Sequence, residues 1–241
     1  MSKIRIYCKS KIMKKEELEI SSNQSHYLSK VMRKKAGEQI LVFNSKDGEW
    51  EAKILIPGKN MKVLPQKKTK KLVINNNIWV CFGIIKPRNN NFLIEKLSEI
   101  GVEKFIPMNT EFSQNLKLNY QRLEKIAMEA TEQSNGMKIP IIEKTIYIKT
   151  LLSNWDQERT IIVCDERGES ESLSKTLIEK TFSDKLAIFL GPVGGWSDND
   201  IKLFKEKKNI FFVSLGERLL KADTAAIYAL SCCNSILSNK K

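Results

Sequence analysis

In the first third of the chain, apolar positions alternate with polar ones in short runs: Ile4-Arg5-Ile6-Tyr7-Cys8, Gln39-Ile40-Leu41-Val42-Phe43, Glu49 to Ile56, and Met61-Lys62-Val63-Leu64. A period of two predicts half-buried strands. Lys46-Asp47-Gly48 between two of these runs is a hairpin signal, because Asp-Gly accepts positive φ, and the set as a whole predicts a small β-barrel. Gln24 to Lys34 breaks the alternation. There Tyr27, Leu28, Val31 and Met32 recur at helical spacing, which predicts a short amphipathic helix crossing the barrel.

Gln66-Lys67-Lys68-Thr69-Lys70-Lys71 is polar and charged, Asn75-Asn76-Asn77 follows, and the domain boundary is expected here, with a barrel over 1–72 and a second domain over 73–241. Past this point the pattern changes. Strands are predicted at Ile78–Ile85, Lys104–Met108, Thr160–Cys164, Leu186–Leu190 and Ile210–Val213, and helices at Asn90–Ile100, Tyr120–Ser134, Asp198–Lys207 and Asp223–Leu237. Strand–helix alternation predicts an α/β domain, a parallel sheet with helices on both faces. Ligands of such sheets bind beyond the carboxyl ends of the strands.

Charge adds a division of labour. The net charge is +13, and residues 1–72 hold 18 basic and 7 acidic residues against 23 and 21 in the remainder. That imbalance fits a polyanion-docking module on a nearly neutral catalytic domain, and a solvated basic surface is the competing reading. Arg33-Lys34-Lys35 is the candidate phosphate clamp. The five cysteines form no C-x-x-C pair and His26 is the only histidine, so no metal is expected and the thiols read as buried small hydrophobes. No apolar run is long enough to span a bilayer and the N-terminus lacks a signal-peptide stretch, so no membrane partner and a cytoplasmic location are expected.

The chemistry concentrates near the C-terminus. Leu190-Gly191-Pro192-Val193-Gly194-Gly195-Trp196-Ser197 and Leu215-Gly216-Glu217-Arg218-Leu219-Leu220-Lys221-Ala222-Asp223-Thr224-Ala225 each follow an apolar run. Three glycines within five residues let backbone approach a ligand closely, although a structural turn has the same composition. Neither G-K-[ST] nor G-x-G-x-x-G occurs, which argues against nucleoside triphosphates and dinucleotides.

Together the two segments resemble the knotted loops of the SPOUT class of S-adenosylmethionine-dependent RNA methyltransferases, within it the family that methylates N3 of a uridine in small-subunit (16S) ribosomal RNA. The family wording is close to G-P-E-G-G and L-G-x-R-I-L-R-T-E-T-A. Val193, Lys221, Ala222 and Asp223 depart from it. Lys86 with Leu93 to Val102 is similar to its K…I-x-x-K-x-x-E-L-G-V helix, and Ala130-Thr131-Glu132-Gln133-Ser134 to its A-x-E-Q-S helix end. Gly136 stands where the family usually has Arg, and Lys138 is a possible substitute for its charge. His26-Tyr27-Leu28 and Val31-Met32-Arg33 resemble a signature of its PUA-like barrel, so the likeness runs through essentially the whole chain.

The resemblance implies a SPOUT-type parallel sheet with a C-terminal trefoil knot, preceded by a small PUA-like β-barrel domain. It also implies S-adenosyl-L-methionine as cofactor, a homodimer, and small-subunit ribosomal RNA as partner, within the assembled subunit. Cofactor contacts are expected from Leu190, Gly191, Gly194, Gly195, Leu215, Gly216, Leu219, Leu220 and Thr224. Arg218 and Lys221 are expected to stabilise negative charge on the uracil oxygens, and Asp223 is either the proton acceptor or a helix cap. RNA contacts are expected from Arg5, His26, Arg33, Lys34, Lys35, Lys86, Arg88 and Gln133. Two other functions compete: a non-catalytic RNA-binding ribosome-assembly protein, and a SPOUT methyltransferase acting on another RNA.

Overall fold

The computed structural model describes residues 4–71, 77–114, 116–167 and 170–238. The chain divides into two compact units, Met1–Ile74 with Thr131–Ile139, and Asn75–Ala130 with Pro140–Lys241. The boundary expected between Leu72 and Val73 lies outside the described residues.

The first unit is built on five strands, β1 (Arg5–Tyr7), β2 (Leu18–Glu19), β3 (Gln39–Asn44), β4 (Gly48–Ile56) and β5 (Lys62–Lys70), in the order β1-β3-β4-β5-β2. The predicted hairpin joins β3 to β4. Asn44 Oδ1 accepts from the Lys46 and Asp47 amides and Gly48 takes φ +81°, so the turn is fixed by side-chain chemistry as well as by glycine. Alternate residues of the strands, Ile6, Ile40, Val42, Ala52, Ile54 and Val63 among them, close over Leu28 to form the core. The expected helix is α1 (Ser22–His26) continued by a π-helical turn over Tyr27–Val31, in which the Met32 amide bonds the Tyr27 carbonyl. It stops there because Arg33 adopts a left-handed φ of 51°.

The polar lysine run just before the expected boundary is the second half of β5, and Gln66 to Lys70 are exposed one after another. Without a buried face this stretch has no alternation to mark it as a strand. One expectation is corrected here. Arg5, expected to contact RNA, is buried at 7% exposure. Its Nε donates to Glu49 Oε2 at 2.6 Å, its terminal nitrogens donate to the carbonyls of Thr131, Glu132 and Gly136, and its guanidinium lies 4.1 Å from the Phe43 ring centre. Those carbonyls end helix α3 (Tyr120–Gln133) and the turn after it, where no further helical amide is available to them. Gly136 itself sits so close to Thr131 that an added Cβ would lie 2.9 Å from its Cγ2.

Burial pushes the Glu49 carboxyl up, but the hydrogen bonds from Arg5 and Thr69 pull harder and hold it below its ordinary value. Its ionised form therefore stabilises the fold above the ordinary glutamate pKa of about 4.3, and this contribution is lost as pH falls through the lowered native value. Arg5→Met is expected to cost about 3–5 kcal/mol, the range for stranding one charge of a buried pair, read as a lower urea midpoint.

The second unit holds β6 (Asn77–Gly83), α2 (Pro87–Ile100), β7 (Lys104–Asn109), most of α3, β8 (Ile141–Ile142), β9 (Ile146–Tyr147), α4 (Ile148–Ser153), β10 (Thr160–Cys164), α5 (Leu173–Glu179), β11 (Lys185–Leu190), α6 (Asp198–Lys205), β12 (Ile210–Val213) and α7 (Ala222–Ser238). The sheet order is β12-β10-β11-β6-β7-β8, β9 adds to β7, and every pairing is parallel. Side chains sort by parity. Cys81, Ile106, Met108, Ile161, Val163, Ala187 and Phe189 share a cluster with Ile148 and Leu152 of α4 and Ile201 and Phe204 of α6. The alternate residues Val80, Phe82, Ile162, Ile188 and Leu190 are also buried, and α7 packs on α2, α5 and β11. Helices thus cover both faces, as the alternation predicts.

The apolar stripe of α7 is used inside the chain. Ala226, Ala229, Leu230 and Cys233 are fully buried within a single copy, and what α7 exposes includes Thr224, Tyr228 and Ser231. All five cysteines are free, and burial pushes the Cys8 and Cys164 thiols up to about 12. At neutral pH these two are protonated packing groups.

Candidate functional site

The parallel register sets the strand ends level with one another. Cys164 of β10 pairs with Leu190 of β11 on one side and with Val213 of β12 on the other, and Leu190 pairs with Phe82 of β6. The loops that follow Gly83, Asn109, Cys164, Leu190 and Val213 therefore leave one edge of the sheet, the carboxyl edge where ligands of such sheets bind.

The loop of residues 191–197 is held at several points. An added Cβ at Gly83 would lie 2.6 Å from Pro192 N, so the last residue of β6 must be glycine for the loop to pack there. The Gly195 amide bonds the Pro192 carbonyl at 2.9 Å, and Trp196 Nε1 donates to the Cys164 carbonyl at 2.9 Å. Ser197 then closes the loop as the N-cap of α6, its Oγ accepting from the Asp200 amide while the Asp200 carboxylate accepts from the Ser197 amide. Gly191 faces the backbone of Gly195, with an added Cβ only 3.3 Å from that residue's carbonyl carbon. Gly195 adopts φ +71°, and an added Cβ would run into the Glu166 carboxylate, which reaches over from the end of β10.

The second loop borders a cleft open to solvent. Leu215, Gly216, Glu217, Arg218, Leu220 and Tyr228 line a cavity of about 410 Å³, within the range of small-molecule sites. Gly216 has φ +117° and open space where a Cβ would be. The Tyr228 phenol is held above its ordinary value, first by the charge of the neighbouring Cys232. Between the two loops, Asp165 is buried. Burial raises its carboxyl, yet the Arg167 hydrogen bonds and charge bring it below the ordinary range.

The residues expected at the site fall into groups. Arg218, Leu215, Gly216 and Leu220 share the cavity, whereas Leu190, Gly191, Gly194 and Gly195 stand two strands away, across the end of β10. Leu219, expected to contact the cofactor, is 78% exposed and outside the lining, and Thr224 is exposed on the first turn of α7. Lys221 is exposed, its carbonyl accepting from the Ala225 amide at the start of α7. Asp223 has both oxygens engaged: Oδ2 accepts from Asn89 Nδ2 at 3.0 Å and Oδ1 from the Thr224 amide at 2.9 Å. This anchors α7 to the start of α2. Of the RNA candidates, His26, Arg33, Lys35, Lys86, Arg88 and Gln133 are exposed, and Lys34 is half-buried with Nζ 2.9 Å from Glu38. Glu166, Tyr228, Glu111 and Phe112 were not among the candidates, and no local motif marks them.

Comparison with known proteins gives this arrangement a lineage. Residues 73–234 match the RNA methyltransferase domain family, and residues 20–63 match the RNA methyltransferase PUA domain. Ribosomal RNA small subunit methyltransferase E of Rickettsia conorii is 31% identical over 229 residues, covering 94% of this chain and 93% of that one. The chain belongs to the ribosomal RNA small subunit methyltransferase E family. A member from Bacillus subtilis is 28% identical over 92% of this chain and 91% of its own length. Among solved structures, the methyltransferase E of Neisseria gonorrhoeae bound to S-adenosyl methionine superimposes with a TM-score of 0.86 at 21% identity, covering 98% of both chains. A methyltransferase from Legionella pneumophila in complex with the same cofactor gives 0.84 at 24% identity, covering 99% of this chain and 98% of that one. At such identities these two structures speak for the fold of the family, an α/β sheet with a PUA domain. Among the described residues no cluster of His, Cys, Asp and Glu could hold a metal ion, and no helix is long and apolar enough to cross a membrane.

Proposed function

We propose that this protein transfers a methyl group from S-adenosyl-L-methionine to N3 of a uridine in small-subunit ribosomal RNA. The observation that carries the reading is the pair of glycine loops on one sheet edge, one locked by a capping box and the other lining a cavity. The activity of the family's relatives and the S-adenosyl methionine bound in the two solved structures support it.

The residues present fit the cofactor. Leu215, Leu220 and Tyr228 offer apolar and aromatic surface for an adenine ring, Gly216 leaves its backbone open to a ligand edge, and Glu217 supplies a carboxylate for a cationic group. The bound cofactor supplies an activated methyl group on a sulfonium. The chain must then align N3 with that methyl and make N3 nucleophilic, which requires removal of its imide proton. Loss of this proton places negative charge on the two uracil oxygens. Arg218 in the cavity lining and exposed Lys221 are the cations near which that charge is least costly. With both oxygens already bonded, Asp223 fits the helix-anchoring role better than that of a proton acceptor.

Docking falls to the basic first unit, in this reading. Replacing Arg33, Lys34 and Lys35 by Ala is expected to weaken RNA binding and flatten its logarithmic salt dependence by about 2, since each phosphate contact contributes roughly 0.7 to 0.9. Cofactor affinity should be unchanged, and a wild-type salt slope in the triple variant would move the docking surface elsewhere. The threading of the C-terminal segment as a trefoil knot and the homodimer are further parts of the proposal, carried by the family resemblance. Light scattering at micromolar concentration should give about twice the 27.7 kDa chain mass, and a monomer mass would remove the dimer.

A further inference from the structure

Phe112 is an aromatic side chain left 51% exposed in the loop that follows β7, at the carboxyl edge of the sheet. A single exposed apolar side chain is ordinary, and what sets this ring apart is its place against the glycine loop. It lies on the glycine loop. A Cβ built on Gly194 would be 3.1 Å from Phe112 Cβ and 3.6 and 3.7 Å from two ring atoms, so glycine at this position is what lets the ring settle there. Next to Gly194, Val193 is 79% exposed and extends the apolar surface.

The ring sits on an anchored loop. Its neighbour Glu111 accepts from Asn199 Nδ2 at 3.0 Å, and hydrogen bonds from Ser197 and Asn199 at the start of α6 hold its carboxyl below the ordinary range. On either side, the Thr110 amide donates to Ser113 Oγ at 2.9 Å and the Ser113 amide donates to the Thr110 carbonyl at 3.1 Å, a turn that fixes both ends of the Thr110-Glu111-Phe112-Ser113 segment. Anchored backbone with an exposed ring is the arrangement of a stacking platform. An enzyme acting on a ring nitrogen of a paired base must take that base out of its stack, and protein aromatics or apolar side chains replace the lost neighbour.

We propose that Phe112 is the base-stacking residue of this site: its ring, held on Gly194, covers one face of the extruded target pyrimidine while the glycine loops hold the methyl donor. This inference rests on the RNA-methylation reading. It identifies the substrate as an unstacked nucleobase, and it makes Phe112 a binding residue that holds a ring face rather than a hydrogen-bonding edge and so positions the base without choosing which base it is.

The test uses the full-length protein, small ribosomal subunits from cells lacking the gene, and three variants: Phe112→Ala, Phe112→Leu and Phe112→Tyr. Leu keeps the apolar volume without the π-face, and Tyr keeps the ring. Ala and Leu are expected to lower kcat/KM for the RNA by about 10- to 100-fold, in line with roughly 1–3 kcal/mol per stacked base. Tyr should stay within about threefold of wild type, and all three should bind S-adenosylmethionine normally in calorimetry. A second readout is independent of turnover. When a short uridine-containing RNA binds in the presence of S-adenosylhomocysteine, the uracil H5 and H6 resonances should shift upfield in the field of the Phe112 ring, and Phe112→Leu should abolish the shift. Phe112→Leu with wild-type kcat/KM, or no upfield shift with the wild-type protein, would overturn the proposal. So would loss of cofactor binding or a changed oligomeric mass in Phe112→Ala, which would make the ring a prop for the loop or for a subunit interface. A wild-type protein that transfers no methyl to the subunits would sink the methylation reading instead, and the resonance shift would still decide the role of Phe112.

Discussion

Replacing Gly195 by Val is expected to reduce S-adenosylmethionine binding by more than about 100-fold while leaving the far-UV spectrum of the protein unchanged. The reason is backbone conformation more than collision. Gly195 holds φ +71°, and an added Cβ would meet the Glu166 carboxylate, but that side chain is exposed and can swing aside. The dihedral cannot adjust so easily. A β-branched residue is strongly disfavoured at positive φ, and the turn closed by the Gly195 amide on the Pro192 carbonyl would open to relieve it. The loop would then lose the course that ends in the Ser197–Asp200 capping box. Gly216→Val provides a contrast. There an added Cβ meets nothing within 4 Å, yet φ is +117°, so the expected loss comes from backbone strain and from a side chain entering the cavity mouth. Calorimetric titration distinguishes these outcomes, and Gly195→Val with wild-type affinity would separate the first loop from the cofactor site.

The second large effect concerns Lys221. Lys221→Ala should leave RNA and cofactor affinities nearly intact while methyl transfer falls about 100-fold, the usual loss when one group that stabilises developing charge is removed. Lys221→Arg tests the same point from the other side. Guanidinium presents a planar fork to the uracil oxygens where ammonium presents a point charge, so this variant should transfer methyl at least as fast as wild type. Single-turnover kinetics isolates the chemical step, and unchanged rates in Lys221→Ala would assign the charge to Arg218 alone.

Much of this architecture could be read from the sequence, and the parts that could not share a physical cause. Thr160–Cys164 and Ile210–Val213 were legible to the residue, because buried parallel strands are unbroken apolar runs with polar flanks. The glycine loops were legible from composition together with their place after such runs. Short elements were not. Leu173–Glu179 has too few residues for a periodic signal, and its start shows only in the structure, where the Ser172 side chain accepts from the Lys175 amide. Arg5 was misread because its partners, Glu49 and the carbonyls near residue 131, are brought to it by the fold, and nothing local separates a buried arginine from a surface one. The same holds for Phe112 on Gly194 and Glu166 beside Gly195, pairs far apart along the chain that only the fold brings together. The α7 stripe shows a related ambiguity, since an apolar helix face looks alike whether it meets its own sheet or a second copy.

The central claim is that these two loops deliver a methyl group to N3 of a uridine in small-subunit ribosomal RNA. The most direct test incubates purified protein with isotopically labelled S-adenosylmethionine and small ribosomal subunits from cells lacking the gene, followed by mass spectrometry of the nucleosides. Labelled N3-methyluridine, absent when Gly195→Val replaces the wild type, is the predicted result. Labelled product on a ribose or on another base would contradict the assigned chemistry, and no labelled nucleoside at all would leave the protein as an RNA-binding assembly factor.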